Sequence, residues 1–129
     1  MKNIWGKIIS LPDSVKIAQF VDIGDPDFGE GCKIQAFVSI PPGWHFGNRV
    51  FIGPGARFAN DKHPDLSRKD WKPQGGEVGD DAVIGMGALI APGIKIGRKS
   101  VIGMGSVVLN DVPDGETWAG NPARKLGGA

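Results

Sequence analysis

From Val78 to Pro113 the chain repeats every six residues, reading VGDDAV, IGMGAL, IAPGIK, IGRKSV, IGMGSV, VLNDVP. An aliphatic residue opens each unit (Val78, Ile84, Ile90, Ile96, Ile102 and Val108), and glycine follows it at Gly79, Gly85, Gly97 and Gly103. The fifth place is small or apolar throughout: Ala82, Ala88, Ile94, Ser100, Ser106 and Val112. Neither helical periodicity nor the strict alternation of a half-buried strand produces this order. A fixed short period marks a solenoid, in which each unit buries its apolar places against the neighbouring turns.

The same rhythm runs through the first half of the chain. Phe28, Ile34, Ile40, Phe46, Ile52 and Phe58 open units whose fifth places are Cys32, Val38, Trp44, Val50 and Ala56. Ile17 and Ile23 begin it one residue out of step, which predicts a bulge or loop near Asp25-Pro26. Lys62 takes the next fifth place, where burial of an unpaired ammonium would cost several kcal/mol, so the ladder is expected to break there. It resumes at Val78, twenty residues after Phe58 and so not a whole number of units. Residues 59–77, with their charges, two prolines and Gly75-Gly76, therefore read as an extruded loop.

The segment Ile84-Gly-Met-Gly-Ala88 recurs as Ile102-Gly-Met-Gly-Ser106, eighteen residues on, as it must if three units make one turn of a triangular prism. With strands stacked about 4.8 Å apart, about four to five coils give a prism roughly 20 Å long. Sixth-place side chains point outward beside the inward openers. Val83 is thus expected over Val101 and Leu89 over Val107, leaving two apolar outer faces. Unless the chain's own tail or loop covers them, such faces predict a subunit interface.

At 129 residues the chain is one domain, divided into an amino-terminal cap (1–14, with Trp5, Ile8, Ile9 and Leu11), coils (15–58 and 78–113), the loop (59–77) and a tail (114–129). With a formal charge of +1, nothing in the composition suggests nucleic acid or an acidic membrane surface as the main partner. No apolar run matches a signal peptide or a membrane span, so no membrane insertion and a cytoplasmic location are expected. Cys32 is the only cysteine, so no intrachain disulfide forms, and its fifth-place position makes it a core residue.

The hexads, the interrupting loop and the ending AGNPARKL resemble the hexapeptide-repeat acyltransferases. That resemblance implies an all-β fold, a left-handed parallel β-helix solenoid with one extruded loop and a short carboxy-terminal tail. It also implies a homotrimer with sites between subunits. Within the superfamily, IQAFVSI (34–40), VFIGPGARFANDKHP (50–64) and VGDDAVIGMGALIAPGIKIG (78–97) look most like the nucleotide-sugar N-acetyltransferases. The resemblance therefore implies acetyl-CoA as cosubstrate and the amino group of a nucleotide-linked amino sugar as acceptor.

Amide formation needs an uncharged amine aimed at a thioester, a proton acceptor, and donors for the oxyanion. In the resembling enzymes the Asn-Asp pair of this motif reaches the sugar near its amine, and here those residues are Asn60 and Asp61. They otherwise read as a turn. His63 is the titrating candidate. Where some relatives carry a histidine in the strand matching IQAFVSI, this chain has Gln35-Ala36-Phe37. His63, Asp61 or the departing CoA sulfur must take the proton. Gly87, Ala88, Gly105 and Ser106 are candidates to hold the CoA arm, through close approach and strand amides that polarise the thioester carbonyl. Arg124 and Lys125 match the positions that hold the nucleotide end of CoA. Trp71 and Trp118 are candidates to lie over a base or ring, or to anchor loop and tail.

His45 and His63 fall on sixth places eighteen residues apart, but the metal-dependent branch of the superfamily uses three histidines per chain and this one has two. No metal is expected. Two rival functions remain: an O-acetyltransferase of the same fold, with His63 as base, and a non-catalytic assembly module.

Overall fold

Each hexad supplies one two-residue strand and one corner. In the computed structural model, which describes residues 10–127, the first coil consists of β1 (Lys16–Ile17), β2 (Asp22–Ile23) and β3 (Asp27–Phe28). The second holds β4 (Lys33–Ile34), β5 (Ser39–Ile40) and β6 (His45–Phe46), and the third β7 (Phe51–Ile52), β8 (Arg57–Phe58) and β9 (Glu77–Val78). β10 (Val83–Ile84), β11 (Leu89–Ile90) and β12 (Lys95–Ile96) make the fourth; β13 (Val101–Ile102), β14 (Val107–Val108) and a bridge from Val112 to Ile96 make the fifth. Strands three apart pair in parallel, which builds three flat faces.

The first face runs β1-β4-β7-β10-β13, the second β2-β5-β8-β11-β14 and the third β3-β6-β9-β12. Partners in the regular part are eighteen residues apart, as in Val83↔Val101 and Leu89↔Val107. The first coil is one residue short: Asp22 pairs with Ser39, and Pro26 is buried in a shortened corner where a bulge or loop was expected. Across the loop the spacing rises to thirty-two, as in His45↔Glu77, so fourteen residues leave the coil (32 − 18, from the two registers).

Every opener from Ile23 to Val108, and every fifth place from Cys32 to Val112, is buried. Lys62, the charge that would have broken the core, is exposed outside it. The amino-terminal half packs aromatics: Phe28 stacks on Phe46 at 4.7 Å, and Phe58 meets Trp44 edge-on at 4.9 Å. The carboxy-terminal half is aliphatic apart from Ser100 and Ser106, whose hydroxyls donate to Gly97 O and Gly103 O. Cys32 is fully buried, its thiol donates to Gly47 O, and burial pushes its pKa up. Corners take a left-handed residue at the fourth place, often glycine as at Gly87 and Gly105, but Phe20, Phe37, Arg49, Asp81 and Lys99 hold the same conformation. Arg49 compensates with two bonds to Asp81 in the next coil, which hold that carboxyl below its ordinary value.

The tail departs from its sequence reading. β15 (Thr117–Gly120) pairs in parallel with β13 and adds a sixth layer to the first face; β16 (Ala123–Lys125) folds back antiparallel on it. The solenoid is therefore longer than the four to five coils expected. Leu11 packs against the core, whereas Trp5, Ile8 and Ile9 lie outside the described residues.

The tail covers the coil's end and leaves the apolar faces open. Val83, Val101 and Leu89 remain 37%, 39% and 46% exposed. Met86 and Met104 protrude from the corner between these two faces, so the apolar surface is continuous around it. The third face is a ladder of charges instead: Asp27, His45, Glu77 and Lys95 succeed one another outward, with His45–Asp27 at 3.5 Å and Lys95–Glu77 at 3.9 Å.

Candidate active site

The loop leaves the coil after β8, at the corner between the second and third faces. Buried Trp44 fixes its root by donating from Nε1 to Ala59 O at 2.8 Å. Asn60 Nδ2 donates to Pro42 O of the coil before, at 3.0 Å. Gln74 then ties the two stalks together: its amide donates to Asn60 O at 2.8 Å, and its side-chain oxygen accepts from Lys62 N at 2.9 Å. Beyond the tie, two short side-chain turns carry the chain round. Asp61 Oδ1 accepts from His63 N at 3.1 Å, and Asp65 Oδ1 accepts from the amide and hydroxyl of Ser67. Those bonds hold the Asp65 carboxyl below its usual value.

The turn reading holds for Asp61, whose Oδ1 accepts from His63 N, but Asn60 bonds instead to Pro42 of the coil before, and together these bonds use only half of the pair's side-chain polar atoms. Pro42 O can only accept, so it fixes which end of the Asn60 amide faces the coil and leaves Oδ1 without a partner among the described residues. Asp61 Oδ1 holds both the His63 amide and, at 3.0 Å, Arg68 Nη2, while Oδ2 has no partner among the described residues. Asn60 and Asp61, neighbours in the chain, therefore each present one open acceptor oxygen among the described residues. The His63 ring is exposed, with no carboxylate to orient it among the described residues. Arg68 was not singled out in the sequence, because a cation in a charged loop carries no periodic signal.

The second candidate set lies elsewhere, at the corner between the first and second faces. Ala88 and Ser106 face inward and are fully buried. The amides of all four residues donate within the coil, Gly87 to Pro54 O, Gly105 to Met86 O, Ala88 to Gly85 O and Ser106 to Gly103 O. This corrects the expected role of those amides: they are already engaged and leave no N–H for a thioester carbonyl. What the corner offers is room, since a side chain added at Gly87 or Gly105 would meet nothing within 4 Å. The tail turn closes one end of this open column, where Gly120 N donates to Ser106 Oγ at 3.2 Å. Arg124 and Lys125 are exposed on β16 beyond it, Lys125 Nζ lying 3.6 Å from Glu116. Trp118 is a tail anchor, half-buried on the core and donating to Glu116.

Asn60, Asp61 and the Gly87–Gly105 column thus flank opposite edges of the second face. A larger cavity of 660 Å³ lies on the third face among His45, Glu77, Lys95, Arg98 and Asp111, and none of the candidate residues lines it. Its charges already satisfy one another, so it is the groove of the charge ladder. His45 stacks between Asp27 and Glu77, so the two histidines do not meet. No group of three or more metal-ligating side chains occurs among the described residues.

The family profile "Bacterial transferase hexapeptide (six repeats)" matches residues 75–110. The chain is 42% identical, over 100 residues, to serine acetyltransferase 1, chloroplastic, of Arabidopsis thaliana, an alignment covering 78% of this chain and 26% of that protein. It spans between 18% and 26% of the length of the plant serine acetyltransferases it matches. Among solved structures, a hexapeptide-repeat acetyltransferase from Vibrio cholerae O1 biovar eltor, complexed with acetyl coenzyme A, superposes with a TM-score of 0.74 at 27% identity, covering 87% of this chain and 66% of that one. The polySia-specific acetyltransferase NeuO gives a TM-score of 0.73 at 25% identity, covering 92% of this chain and 60% of that one. With its hexad ladder and three-faced coil, the chain is similar to the hexapeptide-repeat transferases, whose repeat it carries over residues 75–110.

Proposed function

We propose that the protein transfers the acetyl group of acetyl-CoA to the amino group of a nucleotide-linked amino sugar, in sites formed between the subunits of a homotrimer. One observation carries the acceptor class: Asn60 Oδ1 and Asp61 Oδ2 are adjacent, unpartnered acceptors. An amine brings two or three N–H donors to such a pair, whereas a hydroxyl brings one. The open Gly87–Gly105 column fits a thin extended arm, and Arg124 and Lys125 suit phosphates beyond its end. Acetyl-CoA, when bound, supplies the acetyl group on a thioester. Asp61 holds the ammonium form and Asn60 directs it. One proton of the ammonium passes to solvent and the neutral nitrogen attacks the thioester carbon; the C–N bond forms, the C–S bond breaks, and the second proton leaving nitrogen goes to the departing thiolate.

Because loop and column flank opposite edges of one face, a site that uses both is best made by the loop of one subunit and the column of another. The continuous apolar surface around Val83, Met86, Leu89, Val101 and Met104 suits the contact. Sedimentation velocity should show three chains per particle, and Leu89→Asp should reduce it to monomers; a stable wild-type monomer at micromolar concentration removes the shared site.

A second reading, transfer to a hydroxyl, is favoured by the identity to serine acetyltransferases. It requires a histidine base, and the His63 ring has no orienting partner among the described residues. Acetyl transfer should be assayed with UDP- and dTDP-linked amino sugars, their hydroxyl counterparts, and serine. Turnover with the amines alone is expected; turnover only with hydroxyls overturns the proposal. His63→Asn should lower kcat by less than about tenfold, whereas a loss near 10²-fold or more would make the ring the base.

A further inference from the structure

The extruded loop holds a cation that acetyl transfer leaves without a role. Arg68 is an exposed residue whose side chain keeps 33% of its surface accessible, and among the described residues the sole partner of its guanidinium is Asp61 Oδ1 at 3.0 Å. A guanidinium has five N–H donors in a rigid plane, so most of them are unengaged. Arg68 and Trp71 also stand between two cavities. One, of 410 Å³, includes Asp61, Pro64 and Leu66; the other, of 340 Å³, includes Lys72, Pro73 and Gln74. Arg68 and Trp71 line both.

A guanidinium present only to neutralise Asp61 would need neither a cavity on its far side nor a second cation there. Asp70 shares that far cavity with Arg68 and Lys72, and of these two cations Arg68 is bridged to Asp61 while Lys72 has no ion pair among the described residues. Trp71 adds a 41% exposed indole beside the cations, a surface on which a planar ring can stack. We infer that Arg68, with Lys72 and Trp71, binds the diphosphate of a nucleoside diphosphate, placing the nucleoside on the Lys72 side and whatever the diphosphate carries on the Asp61 side. That order, nucleoside then diphosphate then sugar amine, follows the line of the two cavities through the guanidinium. The inference rests on the acceptor class proposed above and names the residues that select it.

The test is calorimetric titration of the full chain with UDP and dTDP, which carry no amine. Arg68→Gln should weaken binding at least about tenfold, the low end for losing charge-assisted hydrogen bonds, and Arg68→Lys should recover part of it. Lys95→Gln, on the third face and outside the loop, should leave it within about threefold. CoA carries a diphosphate too, so its affinity is measured alongside. A drop in CoA affinity with UDP and dTDP unaffected assigns the cation to CoA and overturns the inference. It is also overturned by wild-type protein that binds neither nucleotide, or by equal losses in the Arg68 and Lys95 variants. Arg68-dependent UDP or dTDP binding without acetylation of any nucleotide-linked amino sugar leaves the site standing and removes the transfer reading. Acetylation of such sugars with a KM unchanged by Arg68→Gln removes the site alone.

Discussion

Replacing Gly75 with alanine will lower the melting temperature by about 10 °C or more, corresponding to at least about 3 kcal/mol. The loop returns to the coil here, and the returning strand passes under the preceding corner with no space to spare. A Cβ built on Gly75 would lie 1.8 Å from Gly43 O and 2.0 Å from Gly43 C. Neither side can give way cheaply. Gly75 O accepts from Gly93 N of the following coil at 2.8 Å, and Gly43 sits at a φ of 105°, which other residues rarely adopt. A contact under 3 Å with backbone must displace a coil, and overpacking of that kind costs more than a strained rotamer. Gly55→Ala is the matched control: φ is 71° and an added Cβ meets nothing within 4 Å, so only left-handed strain of about 1–2 kcal/mol is expected. Thermal denaturation followed by circular dichroism compares the two. Equal losses would show that backbone conformation, and not close approach, decides the return.

Gly75 also marks how far the residues announce the structure. The coil was legible because each inward place recurs, so an aliphatic opener and a small fifth residue report burial many times over. The break was legible at Lys62 for the same reason, as a charge at a place that had always been apolar, and the one-residue slip at Asp25-Pro26 followed from counting. β15 and β16 were not legible. They attach to the coil's end through backbone bonds to β13, which place no demand on side-chain period. The engaged amides at Gly87 and Gly105 were hidden likewise, since spacing puts a residue at a corner without saying where its N–H points. Arg68 is a third case: its approach to Asp61 depends on the two short turns between them, and turns of this kind leave no repeat to read. Periodic burial is announced by the chain; contacts made once are not.

The loop chemistry supplies the largest effect on activity. Asp61→Asn is expected to lower kcat by 10²-fold or more (about 3 kcal/mol of transition-state stabilisation) while leaving the assembly and its melting temperature nearly unchanged. The substitution keeps an oxygen to accept from His63 N and Arg68, so the turn survives, but it turns the unpartnered Oδ2 into a donor group that repels an ammonium. Asn60→Ala removes the other open acceptor and the bond to Pro42 O together, so it should lose turnover and also about 1 kcal/mol of stability. The contrast separates chemistry from scaffolding: loss of rate without loss of stability at Asp61, loss of both at Asn60. If the two residues grip one amine, the double variant should be little slower than the worse single variant, because the second group has nothing left to hold. Full activity in Asp61→Asn, measured by CoA release with a nucleotide-linked amino sugar, would remove the carboxylate from the reaction and leave the loop as a turn alone.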